Sequence, residues 1–403
     1  MAIEIRPIER ERAEDYTRAV WRGFHDPAID DDDLALRRDR WVDGRWWVAL
    51  DGDEIVSTLR TLPLGTTLPG GAELTSCGVT AVTTASTHRR RGLMAETMRR
   101  ALRAGRDAGE PLTTLIAAEW PIYGRFGFGA AVEGAVYRLD ASAARVTEQG
   151  RGDVTLVTTE TLLAEAPAVY DRHRAASPGE ITRDDFTWRM QLVGTAKEPW
   201  KGFQALCRDA AGAVSGYVRY RIEREWDQRV PANVVKVDEL LGTDAAQARL
   251  WRYVAEIDWV RTVTAENRSV DELLPWWLAD GRHLRQTERA DLVWARPLDV
   301  VACLSARTYA APLDAVIEVV DPLGLSSGRF RLRTDGGPGT ASPTTDAADL
   351  TLPVATLGVV LFGGYALATL ARAGRADEHR AGAVAAASAA FHGDVTPWSA
   401  TWF

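Results

Sequence analysis

VTAVTTASTHRRRGLMAETM, residues 79–98, is the stretch on which the fold turns. Its start continues LTSCGVTAVT (74–83), whose Val and Thr content predicts a strand. From Leu93 the period changes. Leu93, Thr97 and Ala101 fall on one line with Met94, Met98, Leu102 and Gly105 beside it, the i, i+4 stripe of a helix packed on a sheet. Between the two stands the loop Thr87-His88-Arg89-Arg90-Arg91-Gly92. Such a junction suits a phosphate. A helix leaves its first N–H groups unpaired at the positive end of its dipole, a glycine lets backbone approach closely, and guanidinium groups add charged hydrogen bonds. A solvated basic turn accounts for the loop equally well on the residues alone. Of 48 basic residues only Lys197, Lys201 and Lys236 are lysine, so a single arginine means little here.

Outward from this junction, helices and strands alternate. EIRPI (4–8) predicts a strand, and 11–24 a helix with Ala13, Tyr16, Val20 and Phe24 at helical spacing. The acidic DPAIDDDD follows. Residues 46–62 predict a hairpin around an Asp-Gly turn, and PLTTLIAA (111–118) a strand. EWPIYGRFGFG (119–129) is an irregular turn into AVYRL (135–139). An internal echo then appears: Val56-Ser57 matches Val214-Ser215 at a shift of 158 residues. The same shift carries 77–82 onto 235–240 and Leu93 onto Trp251. With one residue deleted, Tyr123-Gly124-Arg125 falls on Asp280-Gly281-Arg282. In this copy Ala248, Arg249 and Leu250 replace the Arg-Arg-Gly loop and Asp280 replaces the tyrosine, so a structural role without the first copy's chemistry is expected. The last hundred residues form an α+β pattern: strands 314–320 and 329–333, a polar Gly/Pro/Thr loop, then alanine-rich helices to about Ala390. The uncharged run between Asp349 and Arg372 is broken by Pro353, Gly358 and Gly363-Gly364, which predicts two short buried helices and no membrane span.

With 403 residues and a net charge of −8, the chain is neither a small disulfide scaffold nor a disordered tail, and non-specific binding to nucleic acid or anionic membrane is disfavoured. Cys77, Cys207 and Cys303 lie far apart and the six histidines show no ligand spacing, so no disulfide and no metal is expected. The N-terminus MAIEIRPIERER lacks the apolar core of a signal peptide, which points to the cytoplasm.

THRRRGL, then IYGRFGFG about thirty residues on, then the aromatic ending SATWF, together resemble the actinobacterial enhanced intracellular survival (Eis) family of GCN5-related N-acetyltransferases (GNATs). The loop itself resembles the GNAT acetyl-CoA motif Q/R-x-x-G-x-G/A, with Met94 departing from its last position. The resemblance implies an α/β (α+β) chain: a catalytic GNAT domain (1–134), a second, degenerate GNAT-like domain (135–295), both with mixed sheets, and a sterol-carrier-like domain (296–403). It implies acetyl-CoA as co-substrate, an amine acceptor and a homohexamer. Carried over position by position, Val82, Thr83 and Thr84 hold the pantetheine arm. Arg90, Arg91, Gly92, Leu93, Met94 and Ala95 embrace the pyrophosphate, and Ala118 and Glu119 line the far side. Tyr123 becomes the general acid toward the departing thiolate, a phenol near ~10 facing a thiol near ~8.5, and the terminal carboxylate of Phe403 becomes the general base. Beside these stand a packing role for Tyr123, and Glu119 or a water chain as base with Trp402-Phe403 as tail anchor. Asp26 and the run Asp30–Asp33 suit a polyamine such as an aminoglycoside, whereas Trp402, where an acidic residue would assist a polycation, leaves aromatic amines and biosynthetic intermediates open. The alternative from another class is a non-catalytic acyl-CoA or lipid binder.

Overall fold

The computed structural model describes residues 3–26, 29, 31–147, 150, 152–195 and 198–403. The Val- and Thr-rich runs of the first third form strands β1 (Glu4–Pro7), β2 (Trp46–Asp51), β3 (Glu54–Thr67), β4 (Glu73–Thr84), β5 (Leu112–Ile116) and β6 (Gly129–Ala130). Helices α1 (Ala13–Gly23), α2 (Asp31–Arg38), α3 (Leu93–Asp107) and the short α4 (Trp120–Tyr123) lie between them. The β2–β3 hairpin closes on Gly52-Asp53, with Gly52 at φ 62, the left-handed conformation that a two-residue turn demands. On α3 the expected stripe is buried at Leu93, Thr97, Met98, Ala101, Leu102 and Gly105, and half-buried at Met94.

The middle of the chain contributes β7 (Glu133–Asp140), β8 (Asp153–Leu156), β9 (Phe203–Arg208), β10 (Val214–Glu223), a small hairpin β11 (Trp226–Asp227) and β12 (Val230–Pro231), β13 (Asn233–Gly242), β14 (Val260–Arg268) and β15 (Leu284–Asp291). Its helices are α5 (Thr159–Ala176), α6 (Asp185–Leu192), α7 (Asp244–Ala255) and α8 (Leu274–Trp277). The last part holds β16 (Val293–Pro297), β17 (Thr308–Val320), β18 (Gly328–Pro343), β19 (Leu350–Pro353) and β20 (Asp377–Glu378), with α9 (Val300–Ala306), α10 (Val354–Leu361), α11 (Leu367–Arg372) and α12 (Ala383–Phe391). No described helix is long and apolar enough to cross a membrane.

The chain separates into two units, Met1–Ala131 with Val293–Asp394 and Trp402–Phe403, and Val132–Leu292 with Val395–Thr401. The first holds a seven-stranded sheet, order β1-β2-β3-β4-β5-β16-β6, and a four-stranded sheet, β18-β17-β19-β20. The second holds a seven-stranded sheet which, taken from β8, runs β8-β9-β10-β13-β14-β7-β15. The two large sheets therefore have the same plan: the fifth strand of each runs parallel to the fourth and every other pairing is antiparallel. The sixth position is exchanged: β7, which follows β6 in sequence, joins the second sheet, and β16, which follows β15, joins the first. The expected break at 295/296 thus falls inside β16.

Two further expectations need correction. The constant shift that carries Leu93 onto Trp251 holds through β4 and β13 and fails at the loop that follows them. Trp251 is the eighth residue of α7, and Ala248, Arg249 and Leu250 are helix interior, because the second copy's loop has shrunk to Thr243. The polar Gly/Pro/Thr segment after 333 is no loop. It continues β18 to Pro343, pairing Thr308 with Pro338 and Tyr309 with Gly337. A Cβ on Gly339 would run into the Tyr309 ring, so the glycine serves a close approach inside the sheet, where it reads in sequence as a turn former. The four-stranded sheet packs Leu313, Ala315, Ile317, Leu332 and Leu350 against Leu357, Val360, Ala387 and Phe391. Buried Arg307 donates to the carbonyls of Val360, Leu361 and Phe391, and burial lowers its pKa to about 10.

Candidate active site

Three features of the first large sheet make a notch. β4 and β5 pair in parallel only from Ser76–Leu112 to Val79–Leu115, while β4 stays bonded to β3 as far as Thr83–Thr58 and Thr84–Ser57. Beyond Val79, the edge of β4 that faces β5 has no strand partner among the described residues. A bulge sits at this point: Arg60 pairs with Thr80 and Thr58 with Thr83, so Ala81 and Val82 oppose Leu59 alone, with Ala81 at φ 52. Side chains of β3 brace it, Thr58 Oγ1 donating to the Ala81 carbonyl (2.9 Å) and Ser57 Oγ to that of Thr83 (2.6 Å). Ser57 and Thr58 of the IVSTLR run thus brace the bulge from the neighbouring strand.

The loop from β4 to α3 follows at this end of the strand. A 3-10 turn at Ser86–His88 is tied down by His88 Nε2, 3.1 Å from Asp51 Oδ2. Arg90 and Gly92 both adopt left-handed backbone, φ 64 and 78, a backbone setting of the sort that turns N–H groups toward one concavity. Gly92 is the N-cap of α3 and offers no side-chain acceptor, so the first N–H groups of a fifteen-residue helix are left for a ligand. Arg89, Arg90 and Arg91 are exposed and, among the described residues, make no ion pair. Leu93 is buried; Met94 and Ala95 are half-buried against the cluster that contains Tyr123.

Tyr123 ends α4 and is 6% exposed, with Phe126, Phe128, Val79, Val82, Met94 and Ala95 in the same apolar cluster. Its ring meets Phe128 edge to face at 6.3 Å. The hydroxyl makes no hydrogen bond among the described residues. Burial, then the charge of Glu119, raises the phenol's pKa above its ordinary value. Ala118 and Glu119 are exposed at the C-terminal end of β5, the end at which it parts from β4.

Phe403 is half-buried over β4. Its Cε2 lies 3.1 Å from the point a Cβ on Gly78 would occupy, beside Leu64 Cδ1 at 2.5 Å. Gly78 was not singled out from sequence, although an isolated glycine inside a strand signals a close approach. Val79, one residue on, packs in the Tyr123 cluster. Successive residues of a strand face opposite sides, so the phenol and the terminal ring flank β4 from its two faces. On the side of α1, Gly23 was missed likewise: a Cβ there would overlap the Thr83 side chain. Tyr16, Trp41 and Trp46 form an aromatic row, with ring centroids 4.7 and 5.1 Å apart and the Arg60 guanidinium 5.2 Å above Trp46. Of the acidic run, Asp30 lies outside the described residues. Asp31 is 3.7 Å from Arg18, and Asp33 partly offsets the lowering of the Arg37 pKa by burial.

A parted parallel strand pair, a bulge, and a glycine-opened helix define a GNAT acetyltransferase, a class that uses acetyl-CoA. Comparison with known proteins agrees. Models of the acetyltransferase (GNAT) domain match residues 4–131 and 179–297, and a sterol carrier protein domain matches 300–400. An uncharacterized N-acetyltransferase of Streptomyces avermitilis is 37% identical over 412 residues, covering 100% of this chain and 99% of its own. N-acetyltransferase Eis of Mycobacterium bovis is 32% identical over 357 residues, 85% of each chain. The crystal structure of Eis1 from Mycobacterium abscessus matches with a TM-score of 0.87 at 29% identity, covering 100% of both. The chain belongs to the Eis family of N-acetyltransferases, and it is an acetyltransferase.

Proposed function

We propose that the enzyme transfers acetyl from acetyl-CoA to an amine through the notch beside β4. The observation that carries this is the junction itself, where β4 loses its partner as α3 presents an uncapped N-terminus behind two left-handed residues. Val82, Thr83 and Thr84 offer backbone groups along the free edge, and Ala118 and Glu119 face them across the gap. Arg90, Arg91 and the N–H groups from Gly92 to Ala95 take the pyrophosphate. Bound acetyl-CoA supplies an activated acyl group; the protein moves two protons. Tyr123 donates one where the thiolate departs, a task for which a phenol kept protonated by burial is suited. The Phe403 carboxylate accepts the other from the attacking amine. The two transfers occur at different atoms, sulfur and nitrogen, so an acid and a base on opposite faces of one strand suit the reaction.

Tyr16 and Trp46 are core residues, 2% and 1% exposed, so the aromatic row belongs to the interior and does not meet the acceptor. Thiol release from acetyl-CoA with an aminoglycoside, a lysine peptide and an arylamine tests both levels: no release with any amine removes the activity, and the rank order names the acceptor class. The base is tested by adding one glycine after Phe403. This moves the carboxylate by up to ~3.6 Å and lowers kcat/KM by at least ~10²-fold, the scale of a lost acid–base group; normal turnover would transfer the role to Glu119. By resemblance the family assembles as hexamers, and sedimentation as a plain monomer would refute that for this chain.

A further inference from the structure

The second unit carries a buried polar cluster that its own GNAT plan does not require. Glu180, in the turn between α5 and α6, is fully buried; His173 Nε2 of α5 lies 4.0 Å from its Oε2, and its hydrogen bonds come from backbone and tail. Oε1 accepts from Ser399 Oγ at 2.8 Å and from the Ile181 N–H at 3.1 Å; Oε2 accepts from the Ala400 N–H at 2.6 Å. Around it, Arg183 Nε donates to Thr401 Oγ1 (2.8 Å), Tyr170 OH is 2.7 Å from the same atom, Asn267 Nδ2 donates to the Ser399 carbonyl (3.1 Å), and Trp398 N–H donates to the Pro178 carbonyl (2.9 Å). Arg183 is itself held by Glu239 at 2.6 Å. Ser399 and Thr401 are almost wholly buried, whereas Trp402 is 66% exposed.

A tail that only needed anchoring would be fixed more cheaply by its apolar residues, since charged groups lose hydration on burial. Directional hydrogen bonds on three consecutive residues do something apolar packing does not: they set register. A slip of one residue moves the chain end by ~3.6 Å, and only Trp402 separates Thr401 from the terminal residue. We propose that Glu180 is a positioning residue for catalysis, locking the register of Ser399–Thr401 so that the carboxylate of Phe403 is delivered to one place. This rests on the reading of that carboxylate as the base.

The test uses the full chain with Glu180→Gln, the glycine extension after Phe403, and both together. Two readouts are taken: release of the terminal residue by carboxypeptidase A, and kcat and acetyl-CoA KM with the amine that turns over best in the panel. Glu180→Gln is expected to speed release about tenfold and lower kcat about tenfold, the scale of one charged hydrogen bond, with acetyl-CoA KM unchanged. In the extended protein the same substitution is expected to leave the remaining kcat unaltered, because the carboxylate is already displaced. Unchanged release in Glu180→Gln overturns the clamp. Faster release with unchanged kcat, or an equal fall in kcat in both backgrounds, overturns its link to catalysis. Normal turnover of the extended protein with wild-type Glu180 overturns instead the base reading, and the release rate alone then decides whether the clamp holds the tail. Ser399→Ala, which leaves the carboxylate in place and removes one of its bonds, carries the same two readouts if Glu180→Gln does not fold.

Discussion

The two large sheets share a strand order but part company at one junction. Eight residues, Ala85–Gly92, lead from β4 to α3; Thr243 alone leads from β13 to α7. Thr243 Oγ1 accepts from the Ala246 N–H, so the start of α7 is closed by its own cap, whereas Gly92 leaves that of α3 open. Tyr123 has its counterpart in Asp280, which caps a 3-10 turn and is held to a pKa of about 2 by its hydrogen bond to Arg282. On the proposed reading, one architecture serves or abandons phosphate binding through a loop length and a single cap. The helix dipole is present in both copies and decides nothing by itself.

That contrast makes its strongest demand at the acid. Tyr123→Phe is expected to lower kcat by roughly 10²-fold or more with acetyl-CoA affinity retained, while Asp280→Ala leaves turnover unchanged. Burial and Glu119 raise the phenol's pKa, so it stays protonated as pH rises. The alkaline limb of kcat should lie above that of an ordinary phenol in the wild type and vanish in the phenylalanine variant. A pH–rate profile on both proteins checks this, and wild-type turnover of the variant would make Tyr123 a packing residue. Next come Arg90→Ala and Arg91→Ala, each expected to weaken acetyl-CoA binding by about 1.5–3 kcal/mol, read as a raised KM, with Arg249→Ala in the second copy without effect. Unchanged affinity would return the first loop to a solvated turn. Gly78→Ala places a methyl against Leu64 and the Phe403 ring and should cost about 1–3 kcal/mol as overpacking, lowering kcat with acetyl-CoA KM held. The smallest effects are at the caps: Gly92→Ala destabilises by ~1–2 kcal/mol through its left-handed φ, and Thr243→Ala by ~1 kcal/mol. Thermal melts measure both, and only the first should also change acetyl-CoA binding.

Much of this site is legible in residues 79–98, because strand, loop and helix there are local patterns with different periods. The stripe from Leu93 to Gly105 is buried as its spacing demands, and the exposed Arg90, Arg91 and Gly92 stand at the start of α3. The duplication was visible in Val56-Ser57 and Val214-Ser215, but its alignment was lost where the second copy's loop shortened, since a constant shift cannot follow a deletion. Gly339 misled for another reason. A glycine records only the freedom to adopt a conformation or accept a close neighbour, and the neighbour, Tyr309, is thirty residues away in sequence.

The sequence by itself determined the change from strand to helix period over residues 79–98, the glycine-ended basic loop, the family and the aromatic pair Trp402-Phe403. All of these depend on neighbours along the chain or on residues that stand together in a motif. Only the tertiary structure decided the exchange of β7 and β16, the bulge at Ala81 braced from β3, the seat of Phe403 on Gly78 and the grip of Glu180 on Ser399 and Ala400. Each is a pairing between residues far apart in the chain, and hydrogen-bond partners and contact surfaces at that separation are chosen by packing, which no local pattern encodes.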